Sequence, residues 1–260
     1  GLTTVDLSGD TDGAGVNVID LSEFTVASTI KGSVGNDTIT GGTVADTITL
    51  TAGTDVIKAG AGDDTIKALL TADLFSANAL VNGSINGETG TDTLLVGTNG
   101  TAFAISNADV WTNVTNIETI KSVENTAAVT LALDTTAWAS GVRTIDISAA
   151  KAATGNTIDV SEITATEGVS TTTTGYTLTG SATGVTTITG SNGIDTIKGG
   201  SANDIFDGKA GNDIISLAEG GTDTVILSKA NGAESITSFT AGASTTVGYD
   251  KLKIGLDGSA

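Results

Sequence analysis

Gly32–Lys67 reads GSVGNDTIT, GGTVADTIT, LTAGTDVIK and AGAGDDTIK, four nine-residue units in unbroken phase. In each unit the sixth residue is Asp (Asp37, Asp46, Asp55, Asp64) and the eighth is Ile (Ile39, Ile48, Ile57, Ile66). A second block runs from Gly190 to Ile226 as GSNGIDTIK, GGSANDIFD, GKAGNDIIS and AEGGTDTVI, with Asp195, Asp204, Asp213 and Asp223 at the sixth position. One inserted residue, Leu217, breaks the step before the last unit. A period of nine is too short for helical-hairpin repeats, which need about 33 residues or more. The Asp-x-Ile half favours extended backbone, and the Gly-rich half supplies positive φ and a tight turn. A strand and a turn at fixed period stack into a solenoid, with the apolar eighth residues as an inward ladder. The predicted fold is therefore all-β: a parallel β-roll or β-solenoid, with short helices confined to connecting segments.

Stacked coils would place successive carboxylates about 4.8 Å apart, the spacing of neighbouring strands. Like charges at that separation repel strongly unless a cation lies between them. The chain has no His and no Cys, so nitrogen and sulfur ligands are absent. An oxygen-only donor set selects a hard ion, Ca²⁺ before Mg²⁺.

The units resemble the RTX, or haemolysin-type, calcium-binding nonapeptide G-G-x-G-x-D-x-U-x, over eight copies in two in-phase runs. Departures are Val44, Ala45 and Ala202 at Gly or variable positions, and Leu50 and Thr51 in place of leading glycines. The resemblance implies a β-roll in which successive nonapeptides occupy alternate sides, so that each unit stacks on the next but one. Calcium then sits between those turns. Carried onto this sequence, it implies metal sites pairing Asp37 with Asp55, Asp46 with Asp64, Asp195 with Asp213 and Asp204 with Asp223, completed by turn carbonyls. The Leu217 insertion makes the last pair the least regular. Asp73 and Phe75 fall in phase with a further unit that lacks the glycines, and Ile66–Leu80 reads equally as a short amphipathic helix.

A larger duplication surrounds these blocks. Asn17–Thr25 (NVIDLSEFT) matches Asn156–Thr164 (NTIDVSEIT), Thr4–Ser8 (TVDLS) matches Thr144–Ser148 (TIDIS), and Asp92–Gly100 (DTLLVGTNG) matches Asp250–Gly258 (DKLKIGLDG). The expected organisation is one solenoid module over 1–100, a connector over 101–141 and a second module over 142–260. Thr171–Thr189 looks like two more degenerate turns. In the connector, Asn107–Thr115 reads as a short helix, Ile117–Val123 and Val129–Leu133 as strands, and Trp111 and Trp138 as caps over solenoid ends.

Composition excludes several function classes. Lys plus Arg number 11 against 30 Asp plus Glu, a net charge of −19, which repels nucleic acid and anionic membranes. No apolar run approaches a membrane span, and no basic segment followed by an apolar one opens the chain. Lacking Met and beginning at Gly1, the chain is expected to belong to a longer protein. Without His or Cys there is no zinc site of the usual kind, no Cys nucleophile and no Ser-His-Asp triad. Glu23 and Glu162 are duplicated, which suits structure better than a unique active site. No enzymatic activity is expected. The duplicated Thr-, Ala- and Gly-rich modules further resemble RTX-type bacterial surface-layer proteins, in their C-terminal, lattice-forming part. That likeness implies export by type I secretion, an extracellular cell-surface location, and calcium-dependent self-association into a two-dimensional lattice. Anchoring to surface polysaccharide would fall to other parts of the full-length protein. The alternative is a stalk or adhesion module of a large RTX adhesin. An ice-binding solenoid needs an unbroken Thr array, which Val56, Ile205 and Ile214 interrupt.

Overall fold

The computed structural model describes residues 2–13, 15–76, 79–80, 83–164, 168–217, 219–228, 232–242 and 248–255. Ala218, which opens the last nonapeptide, and 256–258, which end the second D-x-L-x-[VI]-G match, lie outside them. The chain divides into two compact units: 1–97 with 108–121 and 139–142, and 98–107 with 122–138 and 143–260.

In the first unit every second coil contributes to the same sheet. One sheet orders Thr4–Asp6, Thr29–Lys31, Thr47–Thr49, Thr65–Ala68, Thr93–Val96 and Thr119–Ser122. The other orders Val18–Asp20, Thr38–Thr40, Val56–Lys58, Ser84–Asn86 and Val114–Thr115. The pairings are parallel and in register, so Ile30, Ile48, Ile66 and Leu94 form one inward column. Ile19, Ile39, Ile57, Ile85 and Val114 form the facing one. All nine are at most 6% exposed. The period of two along each strand explains this: the eighth residue points in, while the seventh and ninth point out.

The second unit repeats the scheme. One sheet orders Thr144–Asp146, Thr174–Thr179, Ile194–Lys198, Ile214–Ser216 and Ser235–Thr237. Another orders Phe103–Ile105, Val129–Ala132, Asn156–Asp159, Thr186–Thr189, Ile205–Asp207, Thr224–Ser228 and Lys251–Gly255. Its core column is Leu131, Ile158, Ile188, Phe206 and Val225, all fully buried. The degenerate turns expected in Thr171–Thr189 are coils of these sheets. Leu217 is absorbed next to its strand: it is buried, and its N–H donates to the Thr237 carbonyl at 3.2 Å.

The T-[IV]-D-x-S motif is a strand followed by its own stop. Asp6, Asp20, Asp146 and Asp159 each accept the N–H of the Ser two residues on, at 2.9–3.0 Å. This side-chain turn diverts the backbone from the ladder.

Two expectations need correction. Asn107–Thr115 is not helical: the Val114 N–H donates to the Trp111 carbonyl in a turn, and Val114–Thr115 is a strand. Four of its residues are β-branched, which favours extended backbone over helix. Ile66–Leu80 is neither an amphipathic helix nor a further coil. It holds the end of one strand, a single 3₁₀ turn at Thr71–Asp73, and an antiparallel pairing of Phe75–Ser76 with Ala79–Leu80. Trp111 lies three residues before Val114–Thr115, the edge strand of its sheet. It is fully buried, its ring 5.3 Å from Phe75. Among the described residues, the other helix is Thr135–Ala139. No helix is long and apolar enough to cross a membrane.

Candidate metal centre

The eight nonapeptide aspartates are at most 3% exposed, and the fold joins them in the expected pairs. The Asp37 N–H donates to Asp55 Oδ1 at 2.9 Å, Asp46 to Asp64 at 2.6 Å, Asp195 to Asp213 at 2.9 Å and Asp204 to Asp223 at 2.9 Å. The last pair keeps this geometry over a 19-residue step. The Asp55, Asp64, Asp213 and Asp223 carboxylates thus each reach back to the sixth residue of the coil before it in the same sheet.

Each carboxylate's second oxygen distinguishes two kinds of turn. In four turns it accepts the N–H of that turn's own second residue: Ser33 to Asp37, Gly42 to Asp46, Ser191 to Asp195 and Gly200 to Asp204, at 2.6–2.7 Å. In the turns of Asp64, Asp92 and Asp213 the second residue is left-handed instead: Gly60 at φ 109°, Glu88 at 67° and Lys209 at 65°. The Glu88 and Lys209 N–H groups serve Asn86 and Asp207. Asp64, Asp92 and Asp213 are consequently buried with Oδ2 lacking a hydrogen-bond partner. A buried, unsatisfied carboxylate oxygen costs several kcal/mol unless a proton or a cation meets it.

The turn glycines bring carbonyl oxygens to the same places. Gly53 has φ 118°, and a Cβ there would strike the Gly35 carbonyl oxygen and crowd Asp55 Oδ1. At Gly211, φ 138°, a Cβ would strike the Gly193 carbonyl oxygen and Asp213 Oδ1. Only a residue without a side chain leaves that space to oxygen. Among the described residues no three acidic side chains converge on one point, so a metal here would draw on backbone carbonyls as well as carboxylates. An all-oxygen set of carbonyls and carboxylates, with oxygens still unsatisfied, fits Ca²⁺.

Electrostatics point the same way. Burial pushes Asp213 up to about 8, Asp64 to about 7, and Asp55, Asp92, Asp195 and Asp223 to about 6, and raises Asp204. Donated backbone N–H groups pull each of these down, and neighbouring carboxylates push most of them further up. The strand-stop aspartates behave oppositely. Exposed and hydrogen-bonded to Ser8 and Ser22, Asp6 and Asp20 lie below the usual range.

The ladders extend beyond the residues found by sequence. The Asp64 N–H donates to Asp92 Oδ1 at 2.8 Å, and the Asp223 N–H to Asp250 Oδ1 at 2.9 Å. Asp92 and Asp213 in turn donate to Glu118 and Glu234. A signal for Asp92 existed: Gly87–Leu95 reads GETGTDTLL, a nonapeptide with Glu at position two. Its 28-residue distance from Asp64 hid the phase. Asp73, in contrast, stays outside the ladder, its carboxylate accepting the Leu70 N–H.

Comparison with known proteins agrees with this geometry. The family model described as the RTX calcium-binding nonapeptide repeat matches in four copies, at residues 27–43, 31–66, 41–75 and 182–215. No curated protein and no solved structure matches the chain at a significant level. Both blocks of the chain carry RTX calcium-binding nonapeptide repeats, and such repeats bind calcium.

Proposed function

We propose that the chain is a structural, non-enzymatic part of an extracellular bacterial surface-layer protein, in which calcium binding drives folding and lattice assembly. The ions lie between successive turns, held by Asp37 with Asp55, Asp46 with Asp64, Asp195 with Asp213 and Asp204 with Asp223, together with turn carbonyls. Asp92 and Asp250 continue the same arrangement. The observation that carries this reading is the ladder of buried carboxylates whose charge no basic side chain meets among the described residues. The ion pairs found among the described residues, Lys151–Glu124, Lys198–Glu219 and Lys209–Asp207, all lie away from it.

Support for the surface-layer part is compositional and modular: duplicated Thr-rich solenoid coils, no Cys for disulfides, and a net charge of −19 that four calcium ions would reduce to −11. Calcium then holds the stabilising place that disulfides often take outside cells. The modules are 1–100 and 142–260, joined by 101–141, and anchoring to surface polysaccharide belongs to other parts of the full-length protein. Electron microscopy with and without calcium tests this. Ordered two-dimensional sheets that dissolve on chelation are expected. Dispersed rods in calcium would replace the lattice by a calcium-stiffened adhesin stalk.

The pairing is testable separately. Asp55→Ala removes an acceptor of the Asp37 N–H and half of one site, whereas Asp20→Ala removes an exposed strand stop. The first is expected to lose calcium in equilibrium dialysis at constant free calcium, and the second to keep its full complement. Equal losses would dissolve the pairing.

A further inference from the structure

One ladder in each block ends on a glutamate. In the first unit the Asp92 N–H donates to Glu118 Oε2 at 2.7 Å; in the second the Asp213 N–H donates to Glu234 Oε2 at 3.0 Å. Neither Glu lies in the nonapeptide pattern read from sequence, and each occupies the sixth place of its coil, two residues before the apolar Ile120 or Ile236. Closing a hydrogen-bond ladder accounts for one oxygen of each Glu. It does not account for Asp92 Oδ2 and Asp213 Oδ2, which belong to fully buried residues and lack a hydrogen-bond partner.

The surroundings of Asp92 Oδ2 are those of a binding cradle. A Cβ on Gly87, the first residue of its turn, would collide with Asp92 Oδ2 and with the Asn116 carbonyl oxygen. Two oxygens from consecutive coils therefore flank one point, kept open by a glycine. Asn116 is itself left-handed, at φ 55°, two residues before Glu118. In the second unit a Cβ on Gly208 would meet Asp213 Oδ2 in the same way. There the Asp213 and Glu234 carboxyls are close enough to hydrogen-bond if one is protonated. Two carboxyls so placed share either a proton or a cation.

We propose that one ladder in each block is closed by a calcium site of a second kind, built from one Asp and one Glu: Asp92 with Glu118 and the Asn116 carbonyl, and Asp213 with Glu234. This rests on the reading that the Asp–Asp turns hold calcium. A glutamate is one methylene longer than an aspartate, so it reaches the same point from a coil whose turn departs from the nonapeptide.

The test counts ions. Native mass spectrometry of the whole chain at saturating Ca²⁺ compares the wild type with Glu118→Gln, Glu234→Gln and the double variant. Gln keeps the oxygen that accepts the Asp N–H, so the β signal in circular dichroism should persist. Exposed Glu23→Gln serves as the control. Each single variant should carry one ion fewer and the double variant two fewer, with the control unchanged. Glu118→Asp, which keeps the charge, should regain the ion at elevated calcium if Gln disturbs the fold. An unchanged count in the double variant, with calcium still bound at the Asp–Asp turns, overturns the Glu sites alone and leaves a shared proton. A wild type that binds no calcium overturns both readings.

Discussion

Stripped of calcium at neutral pH, the chain is expected to lose most of its β-type circular dichroism and to regain it when calcium is restored to millimolar levels. The eight buried nonapeptide aspartates make this the largest effect. Without a cation, folding must bury acids that the unfolded chain leaves in water. With one, metal binding becomes folding free energy, because the unfolded chain has no preformed site. For extracellular-type sites with Kd of about 10⁻⁴ M, calcium near 10 mM adds about 2.7 kcal/mol per site. Four such sites give about 11 kcal/mol, as much as the whole stability of an ordinary domain, about 5–15 kcal/mol. The same sites near Kd 10⁻³ M still contribute about 1.4 kcal/mol each. A spectrum already fully β after exhaustive calcium depletion would sink the claim that calcium switches the fold.

Acidification is expected to act in opposite directions on the two forms. In the calcium-free chain, burial raises Asp213 to about 8, Asp64 to about 7, and Asp55, Asp92, Asp195 and Asp223 to about 6. Their unfolded value is 3.8. The folded state therefore binds protons more tightly than the unfolded one. The stabilisation this gives is fully present below about pH 4 and is lost as pH rises through 6 to 8. Lowering the pH of a calcium-depleted sample from 8 to about 5 should thus restore part of the β signal without any metal. In the calcium-loaded chain the same protons compete with the ion. Apparent calcium affinity should fall over the same range, by up to about tenfold per pH unit for each carboxyl that must deprotonate. The chain has no His, so the buried carboxyls are the side chains set to titrate in this window. Calcium titrations by calorimetry at pH 8 and 5.5, beside melting curves of the depleted protein, read both effects. A depleted protein that is less stable at pH 5.5 than at pH 8 contradicts the sign.

Much of this was legible in the sequence because the period is short and uncompensated. A nine-residue step with Asp at six and Ile at eight defines strand, turn, inward column and carboxylate ladder together. The parallel, alternate-coil pairing in both units is what the resemblance to RTX repeats implied. What escaped has physical causes. Gly87–Leu95 is a good nonapeptide, but the segment between Ala68 and Gly83 was inserted before it, and a stacked coil tolerates such loops without losing register. Glu118 and Glu234 escaped because a longer acid reaches the ladder from a coil with few of the nonapeptide's other marks. In Asn107–Thr115 the spacing of apolar residues suits a helix, while its β-branched content favours extended backbone. Asp20 and Asp55 look alike in sequence, each an acid within two residues of an Ile. Only the direction of the side chain, out to Ser22 or in toward the coil before it in the same sheet, separates a turn from a ladder rung.

The ladder also has a direction. Each rung's acceptor comes from a coil later in the chain, and each donor from an earlier one. Ser28, Tyr176 and Thr186 begin it as donors without a carboxylate of their own, so the first rung only gives. A coil arriving at its amino-terminal side meets a carboxylate already in place, whereas a coil arriving at its carboxy-terminal side must bring the next acid with it. Growth is thus asymmetric, like a zip whose slider runs more easily one way. A chain that emerged tail first into calcium would add its coils in the favoured order, each new segment closing on a finished edge.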